Sequence, residues 1–482
     1  MKNLAWITSA LAALSACGDN IKPEQPLDSG VDSGLPADAS PDAPSSFTKP
    51  TPFAVPLSAT GPDQLQSATA GPNGMFYAAG YAAATVSGPK LVTVVRLTST
   101  GMDTTFGQGG KATTTLDFKG GGGEIDVATQ SDGKIIVTTT VANLTNPADR
   151  DIAVIRLTSA GVLDTGFGVG GIRLLDLSTA FDNNGTLTGF DASRDLAIDA
   201  QNRIYVYGVQ RGEGNITGGT TPRTDTDFAV VRLTANGDVD LGWGGGDGKY
   251  LQDIYSAGAH SNATSRGILA LADGSVIAGG YANSAGLGTV QPVLFKLTPA
   301  GALDTGFADQ GMFHDTVLAL QTEIYNVALH GTKIVTGGYG RNAGTANDWI
   351  SMRFDANTGV RDLAWGTTNG AVVFDPSGTM AGSNCRTAIA LPGGRTLLTG
   401  SFGPSNMPAQ DAVFAILDGS GKLDTRFGTG IVSYQLGSNG NDQFWGAAAA
   451  GTSAMVVGYK GGGAAQTDTV NDDSYGVFLP LP

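Results

Sequence analysis

The chain has 482 residues, with 43 acidic against 28 basic side chains and a formal net charge of -15. Nucleic acid and anionic lipid head groups repel so acidic a chain, which excludes electrostatic binding to either of them. Only Cys17 and Cys385 are present, so a disulfide-rich scaffold is excluded as well.

The N-terminus has the pattern of a lipoprotein signal peptide over residues 1–16. Lys2 precedes an apolar stretch, Leu4 to Leu14, that is too short to span a bilayer. The stretch ends in Leu-Ser-Ala-Cys17, which resembles the bacterial lipobox, in which the cysteine receives a lipid. We therefore expect an extracytoplasmic protein of the bacterial cell envelope, attached to a membrane through Cys17.

Residues 17–50 comprise the predicted lipidated cysteine and a segment rich in Pro, Asp and Ser. Such a composition buries too little apolar surface to fold and predicts an extended, disordered tether. Residues 51–482 contain no second linker and are expected to form one domain.

One phrase recurs six times in this domain, and its clearest copy runs from Val154 to Gly171 as VIRLTSAGVLDTGFGVGG. Each copy has an apolar run, a turn glycine, an aspartate and, three residues later, an aromatic residue. The apolar run predicts a buried strand. We expect the aspartate to form an Asx turn and the aromatic ring to fill the gap between neighbouring sheets.

Between the phrases lie seven predicted β-hairpins with tight bends such as Asp132-Gly133. Repeats 57 to 76 residues apart predict a radial array of sheets. Seven hairpins and six phrases leave one blade without its last strand, which residues 51–59 are placed to supply. The fold prediction is an all-β, seven-bladed β-propeller of four-stranded antiparallel blades, closed by the N-terminal strand, and we expect a monomer.

The phrase RLTxxGxLDxxFGxGG resembles the delta-60 repeat family of secreted bacterial proteins, over roughly Leu65 to Leu481. Lys296 and Ile416 replace the arginine in two copies, and Ala308 replaces one glycine. The resemblance implies a β-propeller-like fold and implies no activity.

Motifs for catalysis are missing from the sequence: it has no nucleophile elbow, no phosphate-binding loop and no paired histidines. No catalytic residue, no metal ligand and no cofactor is predicted. Calcium is the alternative to be kept open, because oxygen-rich loops suit it. Its candidate ligands are Asp225 with Asp227, Asp182 with Asn183 and Asn184, and Asp472 with Asp473.

The residue types of the repeats vary at one position near the start of each hairpin, and such variation is expected of binding positions rather than of packing positions. Aligning the bends gives one column: Gln66, Ile125, Arg194, Arg266, Tyr325, Arg386 and Trp445. We expect this column to ring the mouth of the central channel, on the face with the longest connections. Guanidinium groups beside aromatic rings suit a carboxylate, a phosphate or an acidic sugar. The predicted ligand-binding residues are Arg194, Arg266, Tyr325, Arg386 and Trp445, and a hydrated channel without a ligand is the alternative.

Two further features belong to the same prediction. The insertions 176–194 and 209–227 enlarge the third blade and could carry a binding surface. A second column, at the ends of the second strands, favours packing over sugar binding because it recurs in five hairpins: Tyr81, Tyr281, Tyr339, Phe402 and Tyr459.

The leading functional hypothesis is a lipid-anchored, non-enzymatic binding or scaffold module with an unknown protein or glycan partner. The alternative is an extracytoplasmic enzyme acting on polysaccharide at the channel mouth, because propellers can assemble a site from several blades. A pair of buried carboxylates with raised pKa, facing an open cleft, would favour that enzyme. A purely structural surface protein is the third hypothesis.

Overall fold

The computed structural model describes residues 47–120, 123–178, 182–183, 186–187, 189–216, 219–256, 259–283, 289–379, 381–403, 410–437, 440–461 and 472–482. The predicted signal peptide, Cys17 and nearly all of the predicted tether lie outside these residues. Within the described ranges there is no helix that could span a membrane. Pro44–Pro482 forms one compact unit.

The first short strand, β1, precedes three antiparallel blades and a two-stranded ribbon. Strand β1 is Phe53–Ala54. Blade 1 contains β2 (Asp63–Ala70), β3 (Phe76–Ala82), β4 (Leu91–Thr98), β5 (Gly101–Met102) and β6 (Lys111–Asp117). Blade 2 contains β7 (Asp126–Thr129), β8 (Ile135–Ala142), β9 (Arg150–Leu157) and β10 (Ile172–Leu175). The ribbon pairs β11 (Asp182–Asn183) with β12 (Thr186–Leu187), and blade 3 contains β13 (Asp191–Ile198), β14 (Ile204–Arg211), β15 (Thr226–Leu233) and β16 (Lys249–Gln252).

Four more blades follow in chain order. Blade 4 contains β17 (Ile254–Ser256), β18 (Ala259–Ala270), β19 (Val276–Asn283), β20 (Gln291–Leu297) and β21 (Met312–His314). Blade 5 contains β22 (Gln321–His330), β23 (Lys333–Arg341), β24 (Asp348–Asp355) and β25 (Ala371–Phe374). Blade 6 contains β26 (Ser383–Leu391), β27 (Arg395–Phe402), β28 (Asp411–Leu417) and β29 (Ile431–Tyr434). Blade 7 contains β30 (Gln443–Ala450), β31 (Ser453–Lys460), β32 (Asp473–Pro480) and β1, and the described helical elements are 3-10 turns at Pro72–Gly74, Pro392–Gly394 and Thr425–Phe427.

The predicted seven-bladed propeller with N-terminal closure is confirmed. Strand β1 pairs antiparallel with β32, Phe53 opposite Gly476 and Ala54 opposite Tyr475. The closing segment begins earlier than predicted, since the Phe47 ring packs on Phe427 with 5.7 Å between centroids. Closure gives the first half of the outer edge of β32 a partner and so shortens the edge that is free for aggregation.

The hydrophobic core is divided into seven clusters, one between each pair of neighbouring blades. This division follows from the period of a strand, whose successive side chains point to opposite faces of the sheet. Each blade therefore packs on both neighbours, and the last cluster joins Val55 and Leu65 to Met455 and Val457 across the closure.

The repeated phrase is a self-contained structural unit. In blade 2 the Asp164 carboxylate accepts from the backbone N–H of Gly166 at 3.2 Å and pairs with Arg156 at 2.8 Å. The Arg156 guanidinium lies 4.8 Å from the centroid of Phe167, which is fully buried against blade 3. The same Asx turn forms in the other five phrases, which confirms that prediction. The arginine, aspartate and aromatic residue recur because they hold one another.

The turn glycine meets a second requirement as well. Gly237 has φ of 87°, which favours glycine, and a Cβ there would lie 2.5 Å from the ring of Phe167. In blades 2 to 6 the turn glycine thus lies against the buried ring of the preceding blade.

Candidate functional site at the central channel

A β-bulge turns one residue of the first strand of most blades toward the channel. Regular side chains of these inner strands point to the neighbouring blades, so the channel faces the free edge of each strand. In six inner strands one residue is left out of the pairing ladder, and a bulge re-aims the side chain that it carries. These residues are Gln66, Arg194, Arg266, Tyr325, Arg386 and Trp445. The structure thus brings together all five predicted ligand-binding residues in one cavity wall.

Blade 2 departs from the predicted column. Ile125 was expected in the ring, but its side chain is 1% exposed and packs in the core between blades 1 and 2. Glu124, the preceding residue, lines the cavity instead. The sequence does carry a signal for it, because residues 51–482 contain only three glutamates, and two of them, Glu124 and Glu323, lie beside this column.

Glu124 binds two of the three arginines. Its Oε1 accepts from Arg194 Nη1 at 2.6 Å and from Arg266 Nη1 at 2.5 Å. Burial raises the pKa of Glu124, but the charges of Arg266 and Arg194 outweigh burial and hold the pKa below its usual range. Glu124 is therefore an anion, and both arginines have a counter-ion inside the protein.

A chain of hydroxyl groups continues from Arg266. Its Nη2 donates to the Tyr325 hydroxyl at 2.7 Å and to the Tyr281 hydroxyl at 3.3 Å. The Tyr325 and Tyr339 hydroxyls lie 3.1 Å apart. Tyr281 and Tyr339 belong to the column for which packing was predicted, and here their hydroxyl groups fix the position of the Arg266 guanidinium. Tyr81 and Tyr459 of the same column are 1% and 2% exposed and buried by neighbouring blades.

Arg386 differs from the other two arginines. Its guanidinium lies 5.1 Å from the centroid of Tyr325 and 4.7 Å from that of Trp445, so two aromatic rings hold it. Its Nε is buried, and its guanidinium meets no hydrogen-bond acceptor among the described residues. Trp445 is itself fixed, because its Nε1 donates to Gln443 Oε1 at 2.9 Å. Arg386 is therefore a positioned cation with free donors.

A second carboxyl group lies behind the ring. Glu323 is 5% exposed, and its Oε1 accepts from Gln321 Nε2 at 2.5 Å. Burial raises the pKa of Glu323, although the charges of Arg266 and Arg386 lower it. With Glu323 ionised, the three arginines exceed the two glutamates by one positive charge, and the carboxyl pair of Asp126 and Asp195 in the same wall adds one negative charge when it holds one proton.

In blades 2 and 3, the aspartate that follows the column residue accepts a hydrogen bond from the backbone of the next blade. Asp126 Oδ2 accepts from the backbone N–H of Leu196 at 2.9 Å, and Asp195 Oδ2 accepts from that of Ile268 at 2.7 Å. Asp126 and Asp195 also hydrogen-bond each other, and burial raises the pKa of both carboxyl groups. Such a pair holds one proton between its two carboxyl groups.

The cavity extends from the bulge residues along the second halves of the inner strands, toward the hairpin bends. Its volume is about 410 Å³, and its wall includes Ala128, Leu269 and Ala390 near the strand ends. Residues before the bulges, such as Ser193 and Gln443, are fully buried. The cavity therefore opens on the face opposite to the long connections, and the prediction that the mouth lies on the face with those connections is wrong.

The acidic loops named for calcium have other partners where they are described. Arg223 Nη2 binds Asp225 at 2.5 Å and Asp227 at 2.6 Å, so a guanidinium occupies the place of a cation. Asp472 accepts from Gln64 at 2.5 Å, and Asp473 pairs with Lys460 at 2.8 Å. The side chains of residues 182 and 183 and all of residue 184 lie outside the described residues. Calcium at these loops, and the absence of any other cofactor, stay predictions.

One further acidic group could hold a cation. Carboxylate oxygens of Asp149, Asp151 and Asp176 lie within 4.8 Å of one another. Burial raises the pKa of Asp149 and Asp151, and the charge of Asp176 acts in the same direction. The Asn143 amide donates to Asp151 at 3.0 Å, which stabilises the ionised form of that carboxyl group.

Two segments of the chain, 130–167 and 271–307, match the family described as "Domain of unknown function (DUF5122) beta-propeller". Each segment runs from a hairpin bend to the aromatic residue of the following phrase, in blades 2 and 4. The match agrees with the propeller fold and with the phrase as its repeating unit. No curated protein has a significantly similar sequence.

Several solved structures are similar to this chain at low sequence identity. A protein of unknown function from Dyadobacter fermentans is 10% identical with a TM-score of 0.43, covering 76% of this chain and 97% of its own. An ulvan lyase from a polysaccharide lyase family is 11% identical with a TM-score of 0.42, covering 86% and 94%. The β-propeller domain of the trilobed protease from Pyrococcus furiosus is 10% identical with a TM-score of 0.40, covering 86% and 95%.

Proposed function

We propose that the protein is a delta-60 repeat lipoprotein of the bacterial cell envelope, which binds an anionic ligand in the central cavity of its propeller and leaves that ligand unchanged. The observation that carries the proposal is the guanidinium of Arg386, held between two rings with its donors free. The guanidinium is half-buried and has no hydrogen-bond acceptor of its own among the described residues, and a bound carboxylate or phosphate would supply one. The protein acts as a monomer, and its ligand is a small anion or the acidic end of a glycan.

The binding proposal is tested by calorimetric titration of the full chain with acidic oligosaccharides and with their neutral counterparts, followed by analysis of the recovered sugar. We expect saturable heat with the acidic members and recovery of an intact ligand. Equal binding of neutral and acidic sugars would contradict the role of the arginines.

The membrane attachment rests on the lipobox-like sequence that ends at Cys17. Expression of the full chain in a bacterium that processes lipoproteins should give a mature N-terminus at Cys17 carrying acyl chains, as seen by mass spectrometry. Cys17→Ala should then move the protein from the membrane fraction to the soluble extracytoplasmic fraction. Membrane association that is unchanged in Cys17→Ala would refute the anchor and leave the cavity unaffected.

A second candidate function, an enzyme acting on polysaccharide, has one observation in its favour. Asp126 and Asp195 form a half-buried carboxyl pair with raised pKa in the wall of an open cavity. We rank it second because both groups already accept backbone N–H bonds that join the blades. Shortened sugar in the titration, abolished by Asp195→Asn in a folded variant, would reverse this ranking.

A further inference from the structure

The structure assigns unequal roles to the three arginines, and from this we propose a ligand class. Arg386 receives the anionic group of the ligand, and the ligand is an acidic sugar that carries a single carboxylate, with its ring against Trp445. This inference rests on the proposed binding function and deepens it, since it names both the selecting residue and the chemistry that is selected.

Arg194 and Arg266 already have an anionic partner inside the protein. Both bind the same oxygen of Glu124, at 2.6 and 2.5 Å, and Arg266 also donates to Tyr325 at 2.7 Å. Arg266 is 7% exposed, so its charge is buried together with its counter-ion. A ligand that took either arginine would have to displace a carboxylate already ionised in place, and these two residues act as a fixed end wall of the cavity.

Arg386 has the opposite properties. No described residue accepts a hydrogen bond from its guanidinium, and Tyr325 and Trp445 hold the group 5.1 and 4.7 Å from their ring centroids. A planar guanidinium matches the two oxygens of a carboxylate and can donate to both of them. Arg386 lines the cavity, so its donors can be reached by a ligand there.

The charge of the site fits one negative charge better than two. Glu124 already supplies one anion to the ring, and its charge acts on Arg386 as well as on Arg194 and Arg266. A dianion such as phosphate would face Glu124 with its second charge, which like-charge repulsion disfavours. A carboxylate has a single negative charge, which Arg386 takes, and it leaves no second charge to face Glu124.

The wall beyond Arg386 favours a hydroxylated ring over an apolar acid. Asn326 lines the cavity, and its amide Nδ2 has no acceptor among the described residues. Ser67 and Thr387 line the same level and retain lone pairs on their hydroxyl oxygens. The half-buried indole of Trp445 offers a flat apolar face. Polar groups that converge beside one aromatic face, in about 410 Å³, suit a sugar ring of one or two units.

The inference is tested by calorimetric titration of the full chain at pH 7 with four probes: D-glucuronate, D-glucose, benzoate and inorganic phosphate. We expect glucuronate to bind at least about tenfold more tightly than the other three probes, because only it has both the single carboxylate and the hydroxyl groups. Arg386→Gln should weaken glucuronate binding about 30-fold, the loss expected for a charge-assisted bidentate contact. Arg386→Lys should retain part of the affinity because it keeps the charge and loses the fork.

Three variants separate this inference from simpler ones. Arg194→Gln should change glucuronate affinity by less than about threefold, since that arginine is bound to Glu124. Arg353→Gln is the matched control, because Arg353 also lies over a tryptophan, at 4.4 Å from Trp365, but pairs with Asp362 and does not line the cavity. Glu124→Gln should improve phosphate relative to glucuronate by about tenfold, because it removes the repelling charge.

The outcomes divide the two proposals. If no probe binds the wild-type chain, the proposed binding function and this inference both fail. Glucuronate binding to the wild-type chain would support the binding function. The assignment to Arg386 is then wrong if Arg386→Gln, shown to be folded by circular dichroism, keeps its affinity for glucuronate within about threefold. It is also wrong if Arg194→Gln loses as much affinity as Arg386→Gln. Benzoate or phosphate binding as tightly as glucuronate would overturn the acidic-sugar class.

Discussion

Replacement of Asp63 by alanine should destabilise the propeller where the two ends of the domain meet. The Asp63 side chain, 1% exposed, accepts the backbone N–H of Ser58 at 2.9 Å and that of Ser474 at 2.8 Å. Its own N–H donates to the carbonyl of Asp472 at 2.8 Å. One carboxylate thus links the N-terminal segment, the inner strand of blade 1 and the last strand of blade 7.

The magnitude follows from the two N–H groups that lose their acceptor. Ser474 is 1% exposed, so its N–H loses its partner without access to water, at a cost of about 1–3 kcal/mol. Ser58 is half-buried, and water replaces part of its bond, which leaves about 1 kcal/mol. Burial raises the pKa of Asp63, so removal of this carboxyl group returns part of the loss. We expect a decrease of about 2–3 kcal/mol in the free energy of unfolding.

Urea unfolding of the full chain at pH 7, followed by tryptophan fluorescence, measures this loss. Asp473→Ala is the matched control, because that carboxylate lies at the start of the same last strand, with its side chain 52% exposed and paired with Lys460 at 2.8 Å. An exposed ion pair contributes little, so the control should lose less than about 0.5 kcal/mol. If Asp63→Ala and Asp473→Ala are equally stable, the Asp63 carboxylate does not fasten the ring.

Two further predictions concern buried titratable groups. Burial raises the pKa of Asp191 to about 7, although hydrogen bonds from the backbone N–H groups of Leu177 and Ser178 lower it. Between pH 3.8 and about 7, the carboxyl group therefore takes up a proton when the chain folds. Stability from this group is complete below pH 3.8 and is lost as the pH rises through about 7. Asp191→Asn should therefore reduce the fall in unfolding free energy between about pH 5 and pH 8 by on the order of 2–3 kcal/mol, and an unchanged pH profile in urea titrations would contradict it. Burial raises the pKa of the Cys385 thiol to about 12. Iodoacetamide at about pH 8 should therefore leave Cys385 unmodified in the native chain and modify it in urea, which peptide mass spectrometry measures. Rapid labelling of the native chain would instead place Cys385 at the surface.

The phrase and its spacing were enough to predict the blades and their number. Each phrase residue that matters has its partner within the same repeat or in the next one, as Asp164 has in Arg156 and as Gly237 has in Phe167. Local contacts of this kind leave a pattern in the sequence. The count of hairpins against phrases then required a strand from the N-terminal segment, which pairs with β32.

The column of channel residues was also predictable in outline, because the bulge lies six or seven residues before the hairpin bend. Its chemistry was not. The exchange of Ile125 for Glu124 depends on where β7 begins, and no repeat position marks that change.

The tertiary structure decided which residues of the column are free to bind. Glu124 lies 142 residues before Arg266, yet the two are joined across the channel, while Arg386 is left with two aromatic rings and no acceptor among the described residues. The face on which the cavity opens was decided in the same way, by burial of the residues before the bulges. The sequence by itself determined the repeating unit and the closed ring, because those depend on neighbours along the chain. The closed ring places residues that are far apart in the sequence beside one another at the central channel, so ion pairs such as that of Glu124 with Arg266 form only in the folded protein.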